Sequence, residues 1–98
     1  MNLDTPASVR DTPIMATVKL TAMALKEADR LPKAIHARVL ALVERLKDWP
    51  EVSGAKPLRG ELVGYYRLRT GDYRVRFFAK GDTVTIDRIG HRKEFYDD

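Results

Sequence analysis

The sequence predicts a small α+β fold, an antiparallel sheet of about four strands with an N-terminal αα-hairpin packed on one face. Three observations support this fold class. The chain has 98 residues, which suffices for one domain with one core. Apolar residues recur at helical spacing between residues 32 and 49, and beyond residue 61 the apolar period becomes two. The order along the chain is therefore predicted to be β-α-α-β-β-β.

Composition excludes several classes of protein. The hydrophobic fraction of 44% and the charged fraction of 33% are typical of a soluble globular domain. No cysteine is present, which excludes disulfides, thiolate metal sites and cysteine nucleophiles. No apolar run approaches the ~20 residues of a membrane helix, and the first residues lack the apolar stretch of a secretory signal. Together these features predict a cytoplasmic protein.

The first half of the chain is predicted to be mainly helical. Residues 1–13 are polar and aperiodic, so we expect a mobile lead-in to a single domain that spans residues 14–98. Residues 14–20 alternate weakly and predict a strand. Good helix formers follow in residues 21–31, before a proline ends that helix. A second helix, residues 32–49, carries an apolar stripe. The stripe consists of Ile35, Val39, Leu42, Val43, Leu46 and Trp49.

The second half is predicted to form strands. Residues 51–60 contain proline and glycine and are expected to be a loop. Residues 62–69, 73–80 and 83–90 alternate with period two, and the short glycine-containing turns between them favour antiparallel neighbours. Alternation directs one apolar set toward the helices. This set is Tyr66, Leu68, Tyr73, Val75, Phe77, Val84 and Ile86.

Two strand residues, Phe78 and Ile89, do not follow this alternation. A strand keeps each side chain on a fixed face unless an extra residue shifts the register. We therefore expect a bulge or a change of face toward the ends of their strands.

Positive charge is concentrated in residues 59–80, where six basic and two acidic residues account for the whole net charge of +4. Alternation places four of the arginines on the sheet face away from the helices: Arg67, Arg69, Arg74 and Arg76. Planar guanidinium groups suit phosphate oxygens, so this face could bind a nucleic acid. An acidic protein partner or plain solvation of the strand face would fit the same pattern.

Motifs of common enzymes are absent from the sequence. It contains no HExxH, P-loop, GxGxxG or GxSxG pattern, and its acidic residues are not spaced as metal ligands. His36 lies on the polar side of the second helix, where a surface residue without a catalytic role is the simpler interpretation. We therefore expect no metal and no cofactor.

Three stretches resemble the RelE/ParE superfamily of bacterial toxins, the toxin halves of type II toxin–antitoxin pairs. They are Lys56-Pro57-Leu58, the run from Tyr66 to Phe77 that includes Gly71-Asp72-Tyr73-Arg74, and Gly90-His91-Arg92-Lys93-Glu94-Phe95-Tyr96. The resemblance runs from about Ile14 to Tyr96. It implies a sheet with two helices on one face, and a cognate antitoxin as partner.

RelE-type members cut messenger RNA in the ribosomal A site, so the resemblance implies a metal-independent mRNA endoribonuclease, or mRNA interferase. Matched by position, Arg74 stabilises the reacting phosphate, Arg92 lies near the leaving group, and Tyr96 stacks on the substrate and acts as general base. The resemblance also implies that basic residues hold the RNA backbone, and Arg67 and Arg69 are the residues of this chain that match them most closely. The full set expected to bind RNA is Lys56, Arg67, Arg69, Arg76, His91 and Lys93.

Two other functions fit the same residues. ParE-type members share the fold but inhibit DNA gyrase without cutting RNA, and the combination of Arg74, Arg92 and Tyr96 favours the nuclease branch over this one. The chain could also be a basic nucleic-acid-binding module without enzymatic activity. For a nuclease without a carboxylate cluster to hold magnesium, the attacking group is expected to be the RNA 2′-hydroxyl.

Overall fold

The computed structural model describes residues 15–95, so the predicted lead-in of residues 1–13 and Tyr96 lie outside the described residues. The two α-helices are α1 (Ala22–Asp29) and α2 (Lys33–Arg45). The strands are β1 (Thr17–Leu20), β2 (Lys56–Pro57), β3 (Tyr65–Thr70), β4 (Tyr73–Lys80) and β5 (Thr83–His91). Short 3-10 helices cover Leu46–Asp48, Gly60–Leu62 and Arg92–Glu94. The α+β class and the helical hairpin were predicted correctly.

The strands form one sheet in the order β1-β5-β4-β3-β2. Both the strand number and the purely antiparallel arrangement were predicted wrongly: the sheet has five strands, and β1 runs parallel to β5. Strand β2 was not predicted, because two residues are too few to show the alternation of apolar and polar side chains that marks a strand. Short turns fix only the relative directions of β3, β4 and β5, and the helical hairpin leaves the direction of β1 open.

Several element boundaries also differ from the prediction, and two of them have a local cause. The strand expected over residues 62–69 begins at Tyr65, because the chain first makes the 3-10 turn of Gly60–Leu62. The helix expected over residues 32–49 ends at Arg45 and continues as a 3-10 turn through Asp48.

The two helices begin at residues that suit a helix start. The Thr21 hydroxyl accepts a hydrogen bond from the Ala24 N–H at 3.1 Å, which satisfies one otherwise unpaired amide of α1. Pro32 occupies the N-cap of α2, and its carbonyl accepts the hydrogen bond of the His36 N–H at 2.8 Å. Helix α1 packs against β5, and α2 packs against β3 and β4. Neither helix within residues 15–95 is long and apolar enough to cross a membrane.

The core lies between the helices and one face of the sheet. From the predicted stripe of α2, Val39, Leu42 and Leu46 are buried, and the other members pack partly against the core. Of the set that alternation predicted, the sheet contributes five buried side chains, with Phe77 wholly inaccessible at its centre: Leu68, Val75, Phe77, Val84 and Ile86. Tyr66 packs partly against this core, and Tyr73 is partly exposed. Burying these side chains is the main source of stability in a chain of this size.

A β-bulge interrupts the alternation of inward-facing and outward-facing residues in β5, as the sequence predicted. Val75 on β4 pairs with Ile89, whereas Phe77 pairs with Ile86, so Asp87 is the extra residue on β5. The insertion shifts the alternation by one position and lets Ile86 and Ile89 both face the core. On β4 the alternation continues through Phe78, which lies on the face opposite the helices, so the bulge or change of face expected there was wrong.

Candidate functional site

A row of basic residues crosses four strands, from β2 to β5, on the sheet face opposite the helices. It consists of Lys56, Arg67, Arg76 and Arg88, each directly opposite the next in the strand register, and we call it the cation row. Like charges directly opposite each other destabilise a sheet. The row therefore needs counter-charge, either from the protein or from a bound anion.

Acidic partners are present at the β4–β5 half of the row. The Asp87 carboxylate accepts two hydrogen bonds from the Arg76 guanidinium, at 2.9 Å from Nε and 2.7 Å from Nη2. Arg88 Nε donates to Glu27 Oε2 at 3.0 Å, and the other oxygen of Glu27 accepts from the Ile89 N–H at 2.7 Å. Arg76, expected to bind RNA, is thus held in a two-pronged ion pair within the protein.

Neither acidic partner was recognised from the sequence. The broken alternation at Ile89 located the bulge, and Asp87 at the bulge can turn its carboxylate toward Arg76. No comparable signal pointed to Glu27, because 61 residues separate it from Arg88 and only the packing of α1 brings them together.

A second pair of arginines lies next to the row. Arg69 on β3 is directly opposite Arg74 on β4, so the prediction that the four strand arginines share one face is confirmed. Arg67 and Arg74 are 9% and 7% exposed, unusually low values for arginine. Arg69 is exposed. Two of the predicted phosphate-binding cations are therefore largely desolvated, which strengthens their electrostatic interactions.

The turn between β3 and β4 ties Arg74 to the segment that contains Arg92. Arg74 Nη1 donates to the Gly71 carbonyl at 3.3 Å. The Arg92 N–H donates to the Asp72 carbonyl at 2.7 Å. Gly71 has a φ of 58°, a conformation that favours glycine. The turn thus holds two of the predicted catalytic residues at the same end of the sheet.

The side chains of Arg92 and Asp72 also approach each other, with 3.8 Å between Nε and Oδ1. Both side chains are more than half exposed, at 61% and 63%. An exposed pair of this kind contributes little to stability. The Arg92 side chain is therefore accessible to a substrate at a small energetic cost.

The end of β5 passes into the 3-10 turn Arg92–Glu94. The His91 ring accepts a hydrogen bond from the Lys93 N–H at 3.1 Å and lies 5.3 Å from the Tyr73 ring, measured between ring centres. His91 is thus directed to the helix side of the sheet, away from the cation row, although it was expected to bind RNA. A Cβ at position 90 would meet only the carboxylate end of Glu94, an exposed side chain that can move aside, and would make an ordinary contact with Phe95.

Lys56 and Lys93, the other residues expected to bind RNA, are both exposed. Lys56 belongs to the cation row, and Lys93 lies in the 3-10 turn that follows β5. Within residues 15–95 no three His, Asp or Glu side chains are grouped so that they could hold a metal ion. The arrangement is suited to electrostatic binding of a phosphate group, with fixed guanidinium donors at one end of the sheet.

The sequence matches the profile of a toxin family over residues 18–96. The family is described as the ParE toxin of the type II toxin–antitoxin system parDE. The matched segment begins in β1 and covers both helices and the whole candidate site. It therefore includes the residues whose arrangement is described above.

Two named toxins are similar to the chain over most of their length. Toxin RelG of Mycobacterium tuberculosis is 34% identical over 82 residues, which are 82% of this chain and 94% of that protein. Toxin RelE3 of Methanocaldococcus jannaschii is 30% identical over 76 residues, which are 74% of this chain and 86% of that protein.

Solved structures of toxins have the same fold. The toxin–antitoxin complex RelBE2 of Mycobacterium tuberculosis contains a chain with a TM-score of 0.72 and 33% identity, with coverage of 83% of this chain and 95% of that one. The isolated RelE toxin of E. coli aligns with a TM-score of 0.66 and 19% identity, with coverage of 78% and 83%. At the latter identity the likeness concerns the fold alone.

Proposed function

Because the chain belongs to the RelE/ParE superfamily of toxins from type II toxin–antitoxin systems, we propose that it is a metal-independent endoribonuclease that cleaves messenger RNA in the ribosomal A site. The observation that carries the proposal is the turn at Gly71 and Asp72. It holds Arg74 by its guanidinium and Arg92 by its backbone at one end of a basic sheet face. Two arginines at one place suit a single phosphate group.

In the proposed reaction the RNA 2′-oxygen loses its proton and attacks the adjacent phosphorus. A new P–O2′ bond forms, the P–O5′ bond breaks, and the departing 5′-oxygen takes up a proton from water, so that the products are a 2′,3′-cyclic phosphate and a 5′-hydroxyl. Arg74 stabilises the negative charge that grows on the phosphoryl oxygens, and Arg92 stabilises charge on the departing 5′-oxygen. Tyr96 is assigned the stacking of a substrate base and the removal of the 2′ proton.

A cognate antitoxin is the expected protein partner. The similar chains from Mycobacterium tuberculosis and from Methanococcus jannaschii were solved as toxin–antitoxin complexes. For this chain we expect an acidic segment, extended or helical, that covers the basic sheet face, the helical hairpin or both. Its affinity should fall with rising salt if peripheral charges dominate the interface.

Inhibition of DNA gyrase is the second candidate function. The specific observation in its favour is the matching family profile, which is described as that of ParE. This function needs a surface fitted to a protein rather than arginines gathered around one phosphate. The proximity of Arg74 and Arg92 to one turn favours the nuclease.

Primer extension on a translated reporter, after brief induction of the toxin, distinguishes these functions. The nuclease proposal expects in-frame cuts with the wild type and with Lys33→Ala, a charge removal at the exposed start of α2. Arg74→Ala is expected to reduce cleavage roughly 10²-fold. Because Arg74 is nearly buried, its replacement can reduce cleavage simply by unfolding the protein. The charge-conserving variant Arg74→Lys and a thermal melt of each variant distinguish a loss of folding from a loss of catalytic chemistry. Inhibited supercoiling by gyrase with intact transcripts would instead support the second candidate.

A further inference from the structure

The outer edge of β5 has no neighbouring strand beyond Ile86. Strand β1 pairs with β5 over Thr83–Ile86, and among residues 15–95 no other strand lies along the edge that follows. The Glu27 carboxylate of α1 takes the place of a strand there, because one of its oxygens accepts from the Ile89 N–H at 2.7 Å. The other oxygen accepts from Arg88 Nε at 3.0 Å. One side chain of α1 thereby fixes both the backbone and a guanidinium group at the end of β5.

The guanidinium that Glu27 holds lies over an aromatic ring from the turn after β5. Arg88 Cζ is 5.4 Å from the centre of the Phe95 ring. A cation over the face of an aromatic ring is attracted electrostatically, and the attraction is stronger where water is excluded. Phe95 is 7% exposed, so the contact is largely shielded from water. A continuous series of contacts therefore runs from α1 through Arg88 to Phe95.

Phe95 is buried, yet it does not belong to the core cluster between the helices and the sheet. Its ring lies beside Gly90, which is itself buried. Its backbone N–H donates to the Arg92 carbonyl at 3.0 Å and closes the 3-10 turn Arg92–Glu94. The burial of Phe95 therefore fixes this turn rather than the main core.

The backbone of Arg92 is bound on both sides. Its N–H donates to the Asp72 carbonyl at 2.7 Å, and its carbonyl accepts from the Phe95 N–H. The Arg92 side chain is exposed, and an exposed ion pair such as its approach to Asp72 contributes little. The position of the Arg92 guanidinium is therefore determined mainly by the turn that carries it.

We propose that Phe95 and Arg88 are positioning residues for Arg92 in RNA cleavage, and that Glu27 holds Arg88 over the ring. The proposal rests on the nuclease function and extends it, because charge stabilisation requires a donor that is already in place when the reaction occurs. A misplacement of about 1 Å can cost about 10²-fold in rate. Phe95 and Arg88 contact no substrate in this account and act on the rate through Arg92.

Hydrogen exchange of the Arg92 N–H, followed by NMR in the free protein, tests the positioning without any reaction. Phe95→Leu keeps an apolar side chain but removes the ring beneath the guanidinium, so exchange at Arg92 should accelerate roughly tenfold. Phe78→Leu, the same substitution on β4, is the matched control and should leave exchange at Arg92 unchanged. The N–H of the buried Leu42 reports on unfolding of the whole protein. It should exchange at the wild-type rate in Phe95→Leu, whereas equal acceleration at Leu42 and Arg92 would overturn the proposal.

Substitutions of Arg88 test the other side of the contact with the same measurement. Arg88→Lys keeps a cation near the ring and should retain most of the protection of the Arg92 N–H. Arg88→Gln removes the charge and should accelerate exchange as Phe95→Leu does. Wild-type exchange at Arg92 in either Phe95→Leu or Arg88→Gln would overturn the proposal, even if messenger cleavage is demonstrated.

Single-turnover cleavage on programmed ribosomes connects the positioning to the reaction. Phe95→Leu is expected to lower the saturating rate about tenfold and to leave the half-saturating ribosome concentration unchanged, because Phe95 does not contact the substrate. In an Arg92→Ala background it should cause no further loss, since it acts through Arg92. A further loss in the double variant, as expected if Phe95 acted through the neighbouring Tyr96, would overturn the proposal.

The positioning and the nuclease function can fail separately. Faster exchange at Arg92 in Phe95→Leu, together with no cleavage by the wild type, would uphold the placement of the turn by Phe95 and refute the nuclease function. Cleavage by the wild type, together with unchanged exchange at Arg92 in Phe95→Leu, would leave the nuclease function standing and overturn the positioning.

Discussion

The two halves of the cation row have different surroundings. At the β4–β5 half, Arg76 is paired with Asp87 and Arg88 with Glu27, and these four side chains are 15–32% exposed. At the β2–β3 half, Lys56 and Arg67 line a cleft that they share with Arg45 and Arg69. The β4–β5 half is therefore compensated by carboxylates from β5 and α1, whereas the β2–β3 half ends at the exposed Lys56. Basic residues that look equivalent in the sequence thus differ in their surroundings after folding.

Packing at the end of α2 gives the largest expected effect on stability. Leu46 is fully buried and follows Arg45 directly, at the point where α2 passes into its 3-10 turn. Leu46→Ala should lower the free energy of unfolding by about 2–5 kcal/mol, through lost burial and the cavity left behind. Urea denaturation measures this change. A loss below about 1 kcal/mol would mean that the end of α2 does not depend on this packing.

Removal of Asp87 tests the compensated half. Asp87→Ala leaves the largely buried guanidinium of Arg76 without its two-pronged partner, so we expect a loss of about 2–3 kcal/mol. The matched control is the double variant Asp87→Ala with Arg76→Leu. Because it removes both charges, it should be more stable than Asp87→Ala alone. A double variant that is less stable than Asp87→Ala would contradict a role for Asp87 as the counter-charge of Arg76.

Glu27→Gln should have a smaller effect, about 1–2 kcal/mol, because the amide oxygen can still accept from the Ile89 N–H while the charge opposite Arg88 is lost. The control is Asp29→Asn, which neutralises an exposed carboxylate on the same helix. Thermal melts of both variants check the prediction. If the two variants melt at the same temperature, Glu27 does not stabilise β5 through its charge.

Lys56→Gln should change stability least, by less than about 0.5 kcal/mol, and in the stabilising direction, because it removes an exposed charge directly opposite Arg67. RNA affinity should fall at the same time. Urea denaturation measures the change in stability, and fluorescence anisotropy with a labelled 2′-O-methyl RNA measures the change in RNA affinity. A variant that loses stability while it keeps full RNA affinity would place Lys56 with the structural half of the row.

Periodicity predicted the parts of the fold that local patterns determine. The apolar stripe of α2 and the alternation of β3 and β4 located the core. The break in alternation at Ile89 predicted the bulge. Strand β2 and the parallel direction of β1 could not be predicted, because a two-residue strand has no period and β1 pairs with a strand more than 60 residues away.

The candidate site was predictable to a similar extent. Alternation brought the four strand arginines to one face, and the family resemblance supplied roles for Arg74 and Arg92. The contributions of Glu27 and Asp87 were missed, because each depends on which side chain lies beside it after folding. His91 was assigned to RNA binding through its motif, whereas its place on the strand directs it to the helix side.

The central claim is that this toxin cleaves messenger RNA through the 2′-hydroxyl. The most direct measurement is single-turnover cleavage by the wild type on ribosomes programmed with a messenger that carries either ribose or 2′-deoxyribose at the scissile nucleotide. We expect rapid cleavage of the ribose messenger, with a 2′,3′-cyclic phosphate at the new end, and no cleavage of the deoxy messenger. Cleavage of both messengers at the same rate would contradict the claim.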